Sequence, residues 1–226
     1  MIGARIAITR ALPDAERSAA RLRDLGAEPI VAPLLEIAPL RVSVDISGAQ
    51  ALLFTSANGV RAAPATLERK LPTLTVGEAT ARAARQAGFS DVRSAQGDVA
   101  ALAAMAAATL DPKAGALLYL SGVHVAGDLT GALRAAGYNA RRAIVYDARI
   151  VDLLPAAYLQ PLDMVAFHSV RAAQAFAGFG APHAAQRIAV CISPTVAKAA
   201  EAVDWARVVV AAAPQDDALW SAAMTA

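Results

Sequence analysis

Short apolar runs alternate with alanine-rich stretches of helical periodicity along the 226 residues. The runs Ala4–Thr9, Pro29–Ala32, Ala51–Phe54, Leu74–Val76, Asp91–Ser94, Ala116–Leu120, Arg142–Tyr146, Met164–Phe167, Arg187–Ile192 and Arg207–Ala211 have the length and character of strands. Between most of them lie segments rich in Ala, Leu, Arg and Glu. Asp14–Leu25 is the clearest: Ala15, Ala19, Leu22 and Leu25 share a helical face, and Gly26 follows as a stop signal. Strands alternating with helices predict βαβ units and a parallel sheet. Strands that are apolar throughout predict helices on both faces. Ten strands suit two five-stranded sheets better than one.

Four blocks recur in the same order. Leu52–Ser56 with Val60–Ala63 resembles Val165–Ser169 with Val170–Ala173, and Val76–Ala84 resembles Ile192–Ala200. Asp98–Leu102 matches Gln215–Leu219, and Leu22-Arg23 before Gly26 matches Leu133-Arg134 before Gly137. Measured from the first residue of each block, the offsets fall between 111 and 117 residues, which predicts a duplicated α/β unit. Two extended stretches, Leu34–Leu40 and Asp147–Leu154, break the rhythm after the second strand of each repeat. If both cross between domains, the domains are not 1–111 and 112–226. They are then a discontinuous domain, 1–34 with 153–226, and a continuous one, 41–146, with 35–40 and 147–152 as connectors.

Composition narrows the class. Hydrophobic residues make up 57% and charged residues 18%, and mean hydropathy is +0.43, which excludes a disordered chain. Alanine is about a quarter of the total, so much of the apolar count is small side chains. The longest apolar run, Val99–Leu110, is too short to span a bilayer, which takes roughly 20 residues. The first ten residues carry Arg5 and Arg10 and no long apolar core, so no signal peptide is read there and a cytoplasmic location is expected. One cysteine, Cys191, rules out an internal disulfide framework and a thiolate metal cage. The net charge of +2 is too even for a nucleic-acid-binding stripe. Of the 21 basic residues, only Lys70, Lys113 and Lys198 are lysine. Arginine grips carboxylates in a fork, although GC-rich codon usage also accounts for the bias.

The familiar cofactor motifs are missing. Arg10-Ala11-Leu12-Pro13-Asp14 follows the first strand where a dinucleotide cradle would need glycines. No phosphate loop ends in Gly-Lys-Ser/Thr, and no Gly-x-Ser-x-Gly elbow occurs. His124, His168 and His183 lack metal-ligand spacing. Cys191 falls inside a strand and reads as an inert buried thiol. Neither cofactor nor metal is expected.

Hydroxyls and small residues remain where strands end and helices begin: Thr55-Ser56 with Asn58-Gly59, Gly77 with Thr80, Ser121-Gly122, Ser169, and Ser193-Pro194-Thr195. Open parallel sheets bind ligands at this edge, where helix N-termini favour anions. Plain helix capping explains each residue singly. Tyr146, at a strand end beside the second connector, either donates a hydrogen bond to a ligand or covers the hinge. Arg10, on the same edge, either pairs with a ligand carboxylate or is solvated. His168 reads as a strand-end packing residue or a base. Arg141-Arg142 begins a strand, at the edge away from the ligand, and reads as solvated.

Pro33-Leu34-Leu35-Glu36-Ile37, Leu53-Phe54-Thr55-Ser56-Ala57-Asn58-Gly59-Val60, Val76-Gly77-Glu78-Ala79-Thr80-Ala81, Ala143-Ile144-Val145-Tyr146, Phe167-His168-Ser169 and Ile192-Ser193-Pro194-Thr195 together resemble the uroporphyrinogen-III synthase family. The resemblance spans essentially the whole chain. It implies two similar flavodoxin-like α/β domains, one discontinuous, joined by a two-stranded connector with the active site between them. It also implies a reaction: cofactor-free cyclisation of hydroxymethylbilane, a linear tetrapyrrole with eight carboxylates, with loss of water and inversion of ring D. By position Tyr146 matches the tyrosine thought to assist the leaving hydroxyl. Thr55, Ser56, Ser169 and Thr195 match carboxylate-binding positions. Arg10, Asn58, Gly77, Thr80, Ser121 and Gly122 complete the expected substrate-binding set. In one place the chain departs from the pattern: Ser121 and Ala126 stand where many bacterial relatives have arginine, and His124 is the available partial substitute.

The expected partner is thus a small molecule, with neither nucleic acid nor membrane, and the expected state is a monomer. Two other readings stay open: a two-domain sensor that closes on an anionic ligand without turnover, and a regulatory domain cut from a longer chain.

Overall fold

A computed structural model describes residues 2–226, which divide into two compact units. One comprises residues 2–36 with Arg149–Ala226, the other Ile37–Ala148. The chain passes from one to the other inside β3 (Leu35–Pro39) and again inside β8 (Ala140–Ile150).

The first unit is built on β1 (Arg5–Ile8), β2 (Glu28–Val31), β9 (Met164–Phe167), β10 (Ile188–Cys191) and β11 (Arg207–Val210). They lie in the order β11-β10-β9-β1-β2, every pair parallel. Its helices are α1 (Asp14–Asp24), α6 (Val170–Gly178), α7 (Pro194–Ala200) and α8 (Asp216–Met224). The second unit carries β4 (Ala49–Phe54), β5 (Thr73–Thr75), β6 (Val92–Ser94) and β7 (Ala116–Gly122), with α2 (Ala57–Arg61), α3 (Glu78–Gln86), α4 (Val99–Thr109) and α5 (Leu129–Ala135). Its sheet runs β3-β8-β7-β4-β5-β6.

The repeat in the sequence has a topological meaning. Aligning the two sheets matches β2-β1-β9-β10-β11 with β8-β7-β4-β5-β6. The unit β1-α1-β2 corresponds to β7-α5-β8, and the run β9-α6-β10-α7-β11-α8 to β4-α2-β5-α3-β6-α4. The first unit meets its short βαβ piece at the start of the chain and the second meets it at the end. The two are circular permutations of one wiring.

Side-chain alternation explains the apolar strands. In the first sheet Ala7, Val165, Phe167, Ala189 and Cys191 face α6 and α7, and Ile6, Ile8, Met164, Ala166 and Val190 face α1 and α8. The second sheet behaves likewise, with Leu53, Leu117 and Tyr119 on one side and Leu52, Phe54, Leu118 and Leu120 on the other. The small alanines allow close approach, as with Ala15 and Ala19 of α1. In Asn58-Gly59 the glycine lets α2 lie on β7, for a Cβ there would come within 2.9 Å of the Leu120 carbonyl oxygen.

The structure corrects the strand count. Among the described residues there are eleven strands and the sheets have five and six, because Leu35–Pro39 is itself a strand at the sheet edge beside β8. β8 runs on to Ile150, so the second extended stretch begins as strand. The apolar run at Val99 is helix α4. No helix among the described residues is long and apolar enough to cross a membrane.

Phe176 tests the first core. It is fully buried and touches the rings of Tyr158, Phe167 and Trp205. Phe176→Ala should cost about 3–5 kcal/mol in urea unfolding.

Candidate active site

The expected residues of the second unit gather at the ends of β4, β7 and β8. Parallel register sets Gly122 at the end of β7 opposite Tyr146 of β8. The Tyr146 ring lies on that glycine so closely that a Cβ at 122 would meet Cζ at 2.6 Å and Cε2 at 2.7 Å. The residue is 8% exposed. Burial pushes its hydroxyl above the ordinary phenol value, against the hydrogen bond from Ser56 and the charges of Arg61 and Arg142. The phenol therefore keeps its proton at neutral pH and is a donor.

Neighbouring hydroxyls hold this arrangement. Thr55 Oγ1 lies 2.7 Å from the Tyr119 hydroxyl. Burial raises the Tyr119 phenol as well, and the Tyr146 phenol beside it adds to that rise. Ser56 caps α2, accepting from the Asn58 N–H at 3.2 Å, and the Asn58 side chain accepts from Arg61. Ser121 is buried, and its Oγ accepts from Arg142 Nε at 2.7 Å. Arg142 Nη2 also donates to the carbonyls of Gly122 at 2.6 Å and Val123 at 2.8 Å. Gly77 begins α3 in extended conformation with open space around its Cα, and Thr80 is buried within that helix. His124, exposed after β7, has Nε2 4.0 Å from an Asp147 oxygen.

In the first unit the same sheet edge carries a charged cluster. Arg10 follows β1 and donates to Asp216 at 2.7 Å, with Asp14 and Ser18 each 3.4 Å away. Asp216 opens α8 and also lies 3.4 Å from His168 Nε2. Burial alone would raise the Asp216 carboxyl. The neighbouring His168 and the Arg10 charge outweigh it and hold that carboxyl at about 2. Burial pushes the His168 imidazole below its ordinary value, and its ring leans on Trp220 with centroids 5.4 Å apart. Ser169 caps α6 through the Ala172 N–H at 3.2 Å. Ser193 caps α7, which leaves Thr195 exposed in its first turn. Cys191 is buried in β10, and burial raises its thiol to about 12.

Sequence reasoning passed over three members of these clusters. Arg142 read as solvated at the far end of its strand. It is exposed, and its side chain also extends along the sheet to the end of β7, a reach that the length of an arginine stem allows. Tyr119 sat inside an apolar run, where its hydroxyl was the sign that a polar partner was needed. Asp216 had only the usual place of an acid in a helix first turn as its mark.

A family model described as uroporphyrinogen-III synthase HemD matches residues 16–221. The chain belongs to the uroporphyrinogen-III synthase family, and so to the lyases of porphyrin and heme biosynthesis. Comparison with curated proteins gives no match. Among solved structures, uroporphyrinogen-III synthetase from Helicobacter pylori 26695 superposes with a TM-score of 0.69 at 18% identity, over 98% of this chain and 99% of that one. A mutant uroporphyrinogen III synthase from the extremely thermophilic bacterium Thermus thermophilus gives 0.55 at 19% identity, over 99% and 97%. At such identities they establish a shared fold.

Two outcomes follow from the geometry. Gly122→Ala must displace the Tyr146 ring, and turnover should fall on the order of 10–100-fold while far-UV dichroism is retained. The depressed Asp216 carboxyl gives stability that is present above pH 3.8 and lost as pH falls toward about 2. Because its side chain is 46% exposed, the effect is screened to about 1 kcal/mol. Asp216→Asn should be less stable than the parent at pH 7 in urea titrations, and the gap should close by about pH 2.

Proposed function

We propose that this chain cyclises hydroxymethylbilane to uroporphyrinogen III, with Tyr146 as the proton donor to the departing hydroxyl. The buried, protonated phenol on Gly122 carries this reading. The C–O bond of the terminal hydroxymethyl group breaks, and the oxygen leaves as water with the donated proton. Electron density from the pyrrole nitrogen stabilises the resulting azafulvene. The substituted carbon of ring D attacks it to give a spiro intermediate. Rearrangement then inverts ring D, and the ring-carbon proton lost as the macrocycle closes restores the phenol.

Magnitudes assign the main work to shape. Orienting a flexible chain for intramolecular attack is worth roughly 7–11 kcal/mol in favourable cases. A single general acid contributes roughly 10²–10⁴-fold, or about 3–5 kcal/mol. The hydroxyls and helix starts at Thr55, Ser56, Asn58, Gly77, Thr80 and Ser121 in one unit, and at Ser169 and Thr195 in the other, are read as the groups that hold the substrate. Arg10 is already paired with Asp216, so its part in this reading is to set the charge of the rim. The protein is read as a cytoplasmic monomer acting on a small molecule.

The test is the isomer formed. Purified protein given fresh hydroxymethylbilane should yield the type III ring, and only the spontaneous type I ring would defeat the proposal. Tyr146→Phe should slow type III formation about 10–100-fold, at or below the low end of a general acid's contribution, and an unchanged rate would remove Tyr146 from the mechanism.

A further inference from the structure

We propose that Arg142 binds a carboxylate of the substrate at the rim beside Tyr146, a subsite distinct from the hydroxyls and helix starts read above. This rests on the proposed function, since it assigns a role within the same site.

Three of the guanidinium's hydrogen bonds go to neutral oxygens: Ser121 Oγ at 2.7 Å and the carbonyls of Gly122 and Val123 at 2.6 and 2.8 Å. These bonds use Nε and Nη2 and fix the plane of the group. Nη1 has no acceptor among the described residues, and no carboxylate among them pairs with this cation. Arg187 is likewise held by carbonyl oxygens, those of Pro182, Tyr158 and Gln160, but other arginines are paired with carboxylates. Arg141 lies 3.4 Å from Asp45, Arg85 2.6 Å from Glu78, Arg93 2.9 Å from Asp91 and Arg10 2.7 Å from Asp216. Arg142 is a cation anchored at the sheet edge with its charge uncompensated.

The anchoring has an energetic meaning. A free arginine loses much rotamer entropy when it grips an anion, and one already held by three hydrogen bonds loses little. Its charge is felt at the chemistry, because it favours the ionised forms of both the Tyr119 and Tyr146 phenols. An anion seated on Nη1 would therefore fix part of a polycarboxylate substrate next to the proton donor and offset the pull of that cation on the phenol. The competing role is structural: a cap for the oxygens at the end of β7.

Binding of uroporphyrin III, a stable octacarboxylate, separates the two roles. Porphyrin fluorescence anisotropy would give Kd for the parent, Arg142→Gln and Arg142→Lys, with melting temperatures alongside and KM for hydroxymethylbilane. Arg142→Gln should raise Kd and KM about tenfold, a larger change than any in kcat, as expected for a lost charge-assisted hydrogen bond. Arg142→Lys should recover part of that loss. A lowered melting temperature with Kd and KM unchanged would show a structural cap only and overturn the inference. If the Gln variant fails to fold, the Lys variant decides: weaker porphyrin binding by a folded protein supports the subsite, and parental binding overturns it. A parent that forms only type I product would defeat the proposed reaction instead, and the porphyrin titration would still report on Arg142.

Discussion

The second unit's site depends on one close contact, the Tyr146 ring lying on Gly122 across neighbouring parallel strands. Any side chain at 122 would occupy the ring's place. Given the glycine, the ring is buried at the sheet edge and its hydroxyl meets Ser56. Thr55 then engages Tyr119 on the adjoining strand, and Arg142 ties the end of β7 from the other side. The site is a rigid strand-end assembly, the kind of support that fixes a proton donor's position before substrate arrives.

The two units share one wiring, but the same edge of each sheet carries different residues. The second unit carries phenols, hydroxyls and an uncompensated cation. The first carries paired charges, in which Arg10, Asp14, Asp216 and the buried His168 lie against one another. For a substrate with many carboxylates the difference matters. An arginine already held by two aspartates has little left to give a ligand, whereas one held by carbonyls retains its charge.

Much of the fold was legible because physics writes it locally. Strands buried on both faces must be apolar throughout, and helices between them need an apolar stripe, so the alternation survived alanine-rich camouflage. Gly26 and Gly137 each adopt positive φ just after a helix, which is why that block of the repeat stood out. Leu35–Pro39 was less legible because an edge strand half-exposed to solvent has no distinctive pattern. Within the site, Ser56, Ser169 and Ser193 were visible as helix starts, and each does cap its helix. Arg142 and Asp216 were not, since their roles depend on side chains reaching residues distant in sequence.

The central claim is that the Tyr146 hydroxyl remains a protonated donor in its pocket on Gly122. Tyrosine labelled with carbon-13 at Cζ, assigned by comparison with Tyr146→Phe, would report its titration directly by NMR. The account predicts a resonance that stays in the protonated position beyond pH 10, the ordinary phenol value. Ionisation of Tyr146 at or below pH 10 would contradict it.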